Sequence, residues 1–151
     1  MGENDRLAKS LGMHGVLLVL AGCLQGFTIM PGVGTNPKLA LVAHYKTLMH
    51  GFMTASCGMA AACGALKPLG NKSSTAAFWL IVGGLWASFF ADTRAAFINK
   101  HLTNAATAAG ATVDEDGLNS TVIKMSALGS SIGVMILAGN MDYMNFIFKG
   151  K

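Results

Sequence analysis

The chain has 151 residues, 52% of them hydrophobic and only 12% charged, with a mean hydropathy of +0.49. Soluble domains carry about 25% charged residues, so the composition excludes an ordinary soluble domain, and three prolines exclude a collagen-like chain. The net charge of +4 is scattered rather than gathered in a basic stripe, which gives no nucleic-acid surface.

A bilayer core about 30 Å thick takes roughly 20 apolar residues in a helix. Residues 11–30, 47–66, 73–91 and 125–141 each lack a formal charge, and a soluble helix would need a charged face on each of them. The first stretch ends at Pro31-Gly32-Val33-Gly34, and Asn36-Pro37 supplies a start for the second near Lys38. Lys67-Pro68-Leu69-Gly70-Asn71-Lys72 reads as a short loop before the third. Residues 99–120 form a longer polar connection that holds Asp114-Glu115-Asp116, and its alanine-rich part, 103–112, fits a surface helix or a loop. Ile123 and Asn145-Phe146-Ile147-Phe148 extend the short fourth stretch. The expectation is one all-α integral membrane domain of four transmembrane helices in a bundle, spanning about 11–30, 44–66, 73–93 and 122–146.

With four spans, both termini and the middle loop share one side. That side holds Arg6, Lys9, Lys67, Lys72, Lys149 and Lys151, against Lys38, Lys46, Arg94, Lys100 and Lys124 on the other, which places the termini on the cytoplasmic or matrix side. Leu20-Ala21-Gly22-Cys23 has the form of a lipoprotein cleavage box, but acidic Glu3 and Asp5 do not suit a signal segment. Met1-Gly2 lacks the Ser or Thr of a myristoylation site, since Arg6 stands there.

Small residues let helices approach closely in lipid. Gly22 and Gly26 form one GxxxG pair and Gly129 and Gly133 another; Gly58, Ala60, Ala61, Ala62 and Gly64 smooth the second helix, and Gly83-Gly84 the third. These fit packing within one bundle, an oligomer face, or a flat ligand such as a porphyrin. Cys57 and Cys63 read as small buried packing residues.

Ionisable groups inside a membrane are costly, so each marks a candidate site. His14 lies near the start of the first helix; His44, followed by Tyr45 and Lys46, and His50 lie on the second. Six residues place His44 and His50 about 120° apart and about 9 Å apart along the axis, so the two cannot ligate one metal together. Neutral imidazole is the side chain suited to bind haem iron in such a setting. His101 falls in the polar loop. Asp92 and Arg94 close the third stretch, either as an interfacial end or toward an internal cavity, and Lys124 and Asp142 read as anchors of the fourth. No zinc spacing, phosphate loop or Ser-His-Asp set is present. A channel or transporter would want broken helices, and none is indicated.

Met13-His14-Gly15-Val16-Leu17-Leu18, then Ala43-His44 with Gly51 seven residues on, then Gly84-Leu85-Trp86-Ala87-Ser88, come in this order in a four-span chain. Over about residues 12–88 the chain resembles the styrene oxide isomerase family. That resemblance implies a trimer of four-helix subunits, with haem b held between neighbours. It also implies isomerisation of small apolar epoxides to carbonyl compounds, with haem iron as Lewis acid. By position His44 matches the iron ligand, with Tyr45, His14 and Trp86 as further cofactor residues. His50 stands where the family has a substrate-side asparagine. Phe89-Phe90-Ala91-Asp92 stands where the family isomerase has a tyrosine. His50 then has two open roles: a hydrogen-bond donor to the substrate oxygen, or a sixth iron ligand reaching across from a neighbour. The alternative is a non-catalytic accessory or structural subunit of a larger membrane complex. The expected partners are the lipid bilayer, further copies of the chain or other membrane subunits, and a small apolar substrate; nucleic acid is not among them.

Overall fold

The computed structural model describes residues 3–30, 36–67, 69–98 and 117–142. The Pro31-Gly32-Val33-Gly34 turn, the loop with His101 and the 114–116 acidic run, and the 145–148 extension lie outside the described residues. Among those described there are four α-helices and no β-strand: α1, Glu3–Gln25, running into a 3-10 turn Gly26–Ile29; α2, Pro37–Ala62; α3, Asn71–Ile98; and α4, Gly117–Gly139. Three of them, α1, α3 and α4, are long and apolar enough to cross a membrane. α2 is long enough at 26 residues, but Lys38, His44, Lys46, Thr47, His50, Thr54 and Ser56 leave it less apolar than the expected span.

The helix starts and stops have local causes. Asn36 caps α2, its Oδ1 accepting from the backbone N–H groups of Lys38 at 3.0 Å and Leu39 at 3.2 Å, with Pro37 in the first turn where no N–H is needed. α2 stops at Gly64, whose φ of 71° is the left-handed conformation that ends helices, and Ala65 N–H returns to Ala60 O at 3.1 Å. α3 runs on to Ile98, beyond the expected end at Asp92 and Arg94, and α4 begins at Gly117, inside the expected polar loop.

α1 and α2 pack along their whole length, as do α3 and α4, and α3 joins the two pairs through α2 and α1. The α1–α2 seam is built of small residues. On α2 the buried face reads Ala40, Ala43, Thr47, Gly51, Thr54, Gly58, Ala61. On α1 the facing residues include Ala8, Gly12, Gly15, Val19 and Gly22, and Gly26 in the 3-10 turn continues the line. A Cβ on Gly15 would stand 2.6 Å from Ala55 N, one on Gly51 2.7 Å from Val19 N, and one on Gly58 2.8 Å from Gly12 N, so backbone meets backbone at these levels. In the second seam a Cβ on Gly84 would stand 2.8 Å from Ser126 O, and one on Gly133 2.6 Å from Ile81 Cγ1. Three of the four residues of the two GxxxG pairs, Gly22, Gly26 and Gly133, thus meet neighbouring helices of the same chain closely.

One end of the molecule gathers the start of α1, the α2–α3 connection and the end of α4. Lys67 N–H donates to Asn140 O and Asp142 N–H to Ala65 O, both at 2.8 Å, and Asn4 Nδ2 donates to Leu66 O at 3.3 Å. At the other end Asn36 N–H donates to Ala96 O at 3.3 Å, tying the start of α2 to the end of α3. Cys57 is half-buried against the core, while Cys63, at the end of α2, and Cys23 are exposed, so only Cys57 takes the packing role expected of the α2 cysteines.

Candidate functional site

His44 is positioned by the end of α1. His44 Nδ1–H donates to Gly22 O, in the last turn of α1, at 2.7 Å. The ring lies against Gly26, where a Cβ would come within 3.3 Å of Cε1 and Nδ1, so the second glycine of the pair makes room for imidazole. A carbonyl only accepts, so Nδ1 carries the proton of this bond, and in a neutral imidazole the lone pair then lies on Nε2. Nε2 makes no hydrogen bond among the described residues. Tyr45 lies next to it, ring centroids 5.4 Å apart, and is exposed on the outer surface of the chain.

His50 takes a different direction, as its spacing from His44 requires. It faces a cleft of about 190 Å³ between α2, α3 and α4, with Lys46, Ser88 and the α4 serines Ser126, Ser130 and Ser131 as polar neighbours and Met53, Leu85 and Ile123 as apolar walls. Lys46 Nζ meets Asp92 Oδ2 at 2.7 Å, and Ser88 Oγ donates to the same oxygen at 3.1 Å. Asp92 is therefore an internal group and Arg94, two residues on, is exposed; of the two readings of the Asp92–Arg94 end, the internal one holds for the carboxylate. A carboxylate in this setting needs a cation and a hydrogen bond, and it has both.

His14 and Trp86 meet each other: Trp86 Nε1–H donates to His14 Nδ1 at 3.3 Å, with Phe78 edge-on to the imidazole at 5.5 Å. His14 stands at the level of Ala55 on α2, while His44 stands at the level of Gly22 and Gly26 on α1. Ten helical residues separate these levels, about 15 Å along the axis. The structure brings His44 to Tyr45 and His14 to Trp86, and keeps the two pairs apart. Among the described residues no three His, Cys, Asp or Glu side chains converge on a metal position.

Two connections escaped the sequence. The Lys46–Asp92 ion pair was signalled only by opposite charges standing within apolar stretches, each needing a partner. Buried Gln25, whose Nε2 donates to Thr93 Oγ1 at 2.7 Å, ties the end of α1 to α3 and had no signal in the sequence beyond its polarity.

Long apolar helices seamed by small residues, with charges paired inside, define a helical membrane protein. The sequence profile of the styrene oxide isomerase family matches residues 7–143, nearly the whole chain, and the chain belongs to that family. The match runs well past residues 12–88, where the motifs are recognisable by eye. No curated protein and no solved structure matches the chain.

Proposed function

We propose that this chain is a haem b protein of the styrene oxide isomerase type, with four spans in a bundle and several copies, as a trimer, in the membrane. The observation that carries the reading is the His44–Gly22 hydrogen bond. A metal-binding histidine usually donates its other N–H to a carbonyl or carboxylate, which fixes the tautomer and raises ligand basicity. His44 does this from Nδ1, so Nε2 is the atom that would hold iron. Bound haem would supply a Lewis acid able to polarise an epoxide oxygen. His44 is half-buried beside exposed Tyr45, so a second copy would cover the face of the cofactor that this chain leaves bare. In this reading α2 spans with the others, its polar groups partly satisfied within the chain: Thr54 Oγ1 donates to His50 O and Ser56 Oγ to Phe52 O, both at 2.8 Å, and Lys46 is neutralised by Asp92.

The chain's own residues fit a small substrate with an apolar body and an oxygen. The 190 Å³ cleft has Met53, Leu85 and Ile123 as apolar walls, and His50 with Ser126, Ser130 and Ser131 offers hydrogen bonds to an oxygen. Epoxide to aldehyde is an isomerisation: a C–O bond breaks, a hydride moves to the neighbouring carbon, and no atom enters or leaves. The test is aldehyde formation from styrene oxide by membranes holding the wild-type chain and the His44→Ala variant. The reading expects product from the first alone; no product from either would leave the accessory-subunit reading. That second reading draws on Asp92, which stands in the stretch where the family isomerase has a tyrosine and is closed off by Lys46. It expects the chain to purify only with other proteins.

A further inference from the structure

At the end of the molecule that holds the α2–α3 connection, the first turns of α1 and α3 enclose a cleft of about 340 Å³. Its polar lining is Arg6 and Ser10 from α1 and Asn71, Ser74 and Thr75 from α3, with Trp79 at the apolar side. Ser74 is 8% exposed, yet its hydroxyl bonds no described group; only its backbone N–H is used, to Gly70 O at 3.0 Å. The residue is packed in while its hydroxyl, among the groups lining the cleft, is left to bond whatever fills that space. The Arg6 guanidinium likewise makes no ion pair or hydrogen bond among the described residues.

The cleft sits at the N-terminus of a 28-residue helix. The first N–H groups of α3 have no intrahelical acceptor and carry the positive end of its dipole, which favours an anion. Arginine adds a planar fork of donors matched to phosphate oxygens. The position selects the source of that phosphate. Arg6 and Ser10 lie just before the apolar stretch that opens at Leu11, and Trp79, 64% exposed, lies one turn deeper than Thr75 on α3. Polar donors at the rim with an exposed tryptophan beneath them is the arrangement of a membrane–water interface. We propose that this cleft binds the phosphate of a membrane phospholipid headgroup, with Arg6, the Ser74 hydroxyl and the first turn of α3 on the phosphate and Trp79 against the glycerol and upper acyl chain.

The experiment is native mass spectrometry of the full chain in detergent, titrated separately with phosphatidylglycerol and with inorganic phosphate. The wild type is expected to retain one tightly held phosphatidylglycerol. Arg6→Ala should bind it at least about tenfold more weakly, the loss typical of one charge-assisted contact. Ser74→Ala, which keeps the packing, should weaken it by a smaller factor, with helix content unchanged by circular dichroism. Lys9→Ala, an exposed cation on the same helix outside the cleft, should bind as the wild type does. Equal retention by the wild type and both cleft variants, or an equal loss in Lys9→Ala, would overturn the proposal. Binding of inorganic phosphate with no lipid retained would overturn the headgroup assignment and give the site to a soluble phosphate.

Discussion

His44 donates from Nδ1 to the carbonyl of Gly22 at 2.7 Å, so one imidazole ties α2 to the last turn of α1 and leaves its other nitrogen without a hydrogen bond among the described residues. The roles of the two nitrogens separate by substitution. Asparagine places an N–H near the position of Nδ1 and has nothing at Nε2. His44→Asn is expected to hold stability near wild type, while His44→Ala loses about 1 kcal/mol, the net worth of one hydrogen bond. Reversible unfolding in mixed micelles measures both.

Lys46 and Asp92 are expected to be strongly coupled. Lys46→Met leaves a carboxylate with Ser88 alone among its described partners and is expected to cost about 3 kcal/mol, as breaking a buried pair does. Asp92→Asn should cost less, since the Lys46 side chain is 31% exposed and its amine can reach outward. In the double variant the losses should fall well short of their sum; additive losses would show that the pair contributes nothing as a pair.

Gly51 and Gly83 form a contrast. A Cβ on Gly51 meets Val19 N at 2.7 Å and Gly15 O at 2.9 Å, backbone that can yield only by separating α1 from α2. Gly51→Ala is expected to destabilise by about 1–3 kcal/mol. A Cβ on Gly83 meets nothing within 4 Å. Gly83→Ala should be neutral or stabilising by about 0.5 kcal/mol, from helix propensity alone. Thermal unfolding of the two variants side by side decides it.

The polypeptide path puts Cys63 at the same end as the N-terminus, through the bonds of Asn4 to Leu66 and Lys67. A membrane-impermeant maleimide is therefore expected to label Cys63 from the face that exposes an N-terminal tag. Labelling from the opposite face would contradict the path of α1 and α2.

The legible parts of the fold were those governed by local chemistry. Asn36-Pro37 announced the start of α2, and glycine closed it. The small-residue seam was half legible. Gly22–Gly26 stood out as a GxxxG pair, whereas Ala8, Gly12, Gly15 and Val19 continue the same face without a motif. Polar residues near helix ends read two ways in a sequence: Asp92 stood as either an interfacial end or an internal group and is held inside by Lys46, while Ser120, placed in the polar loop, is buried within α4. Pairings between distant helices, such as His14 with Trp86 or Gln25 with Thr93, depend on which faces meet and leave no trace in spacing. His44 was marked by its polarity in an apolar helix; its tautomer became clear only with Gly22 beside it.

In the proposed function His44 Nε2 holds haem iron. The most direct test is the absorption spectrum of the full chain, purified in gentle detergent from cells supplied with haem precursor, for the wild type and for His44→Asn. A Soret band of stoichiometric haem in the wild type, lost in a folded His44→Asn protein, is the predicted result. A wild type without a Soret band, or a variant that keeps its full haem complement, would contradict it.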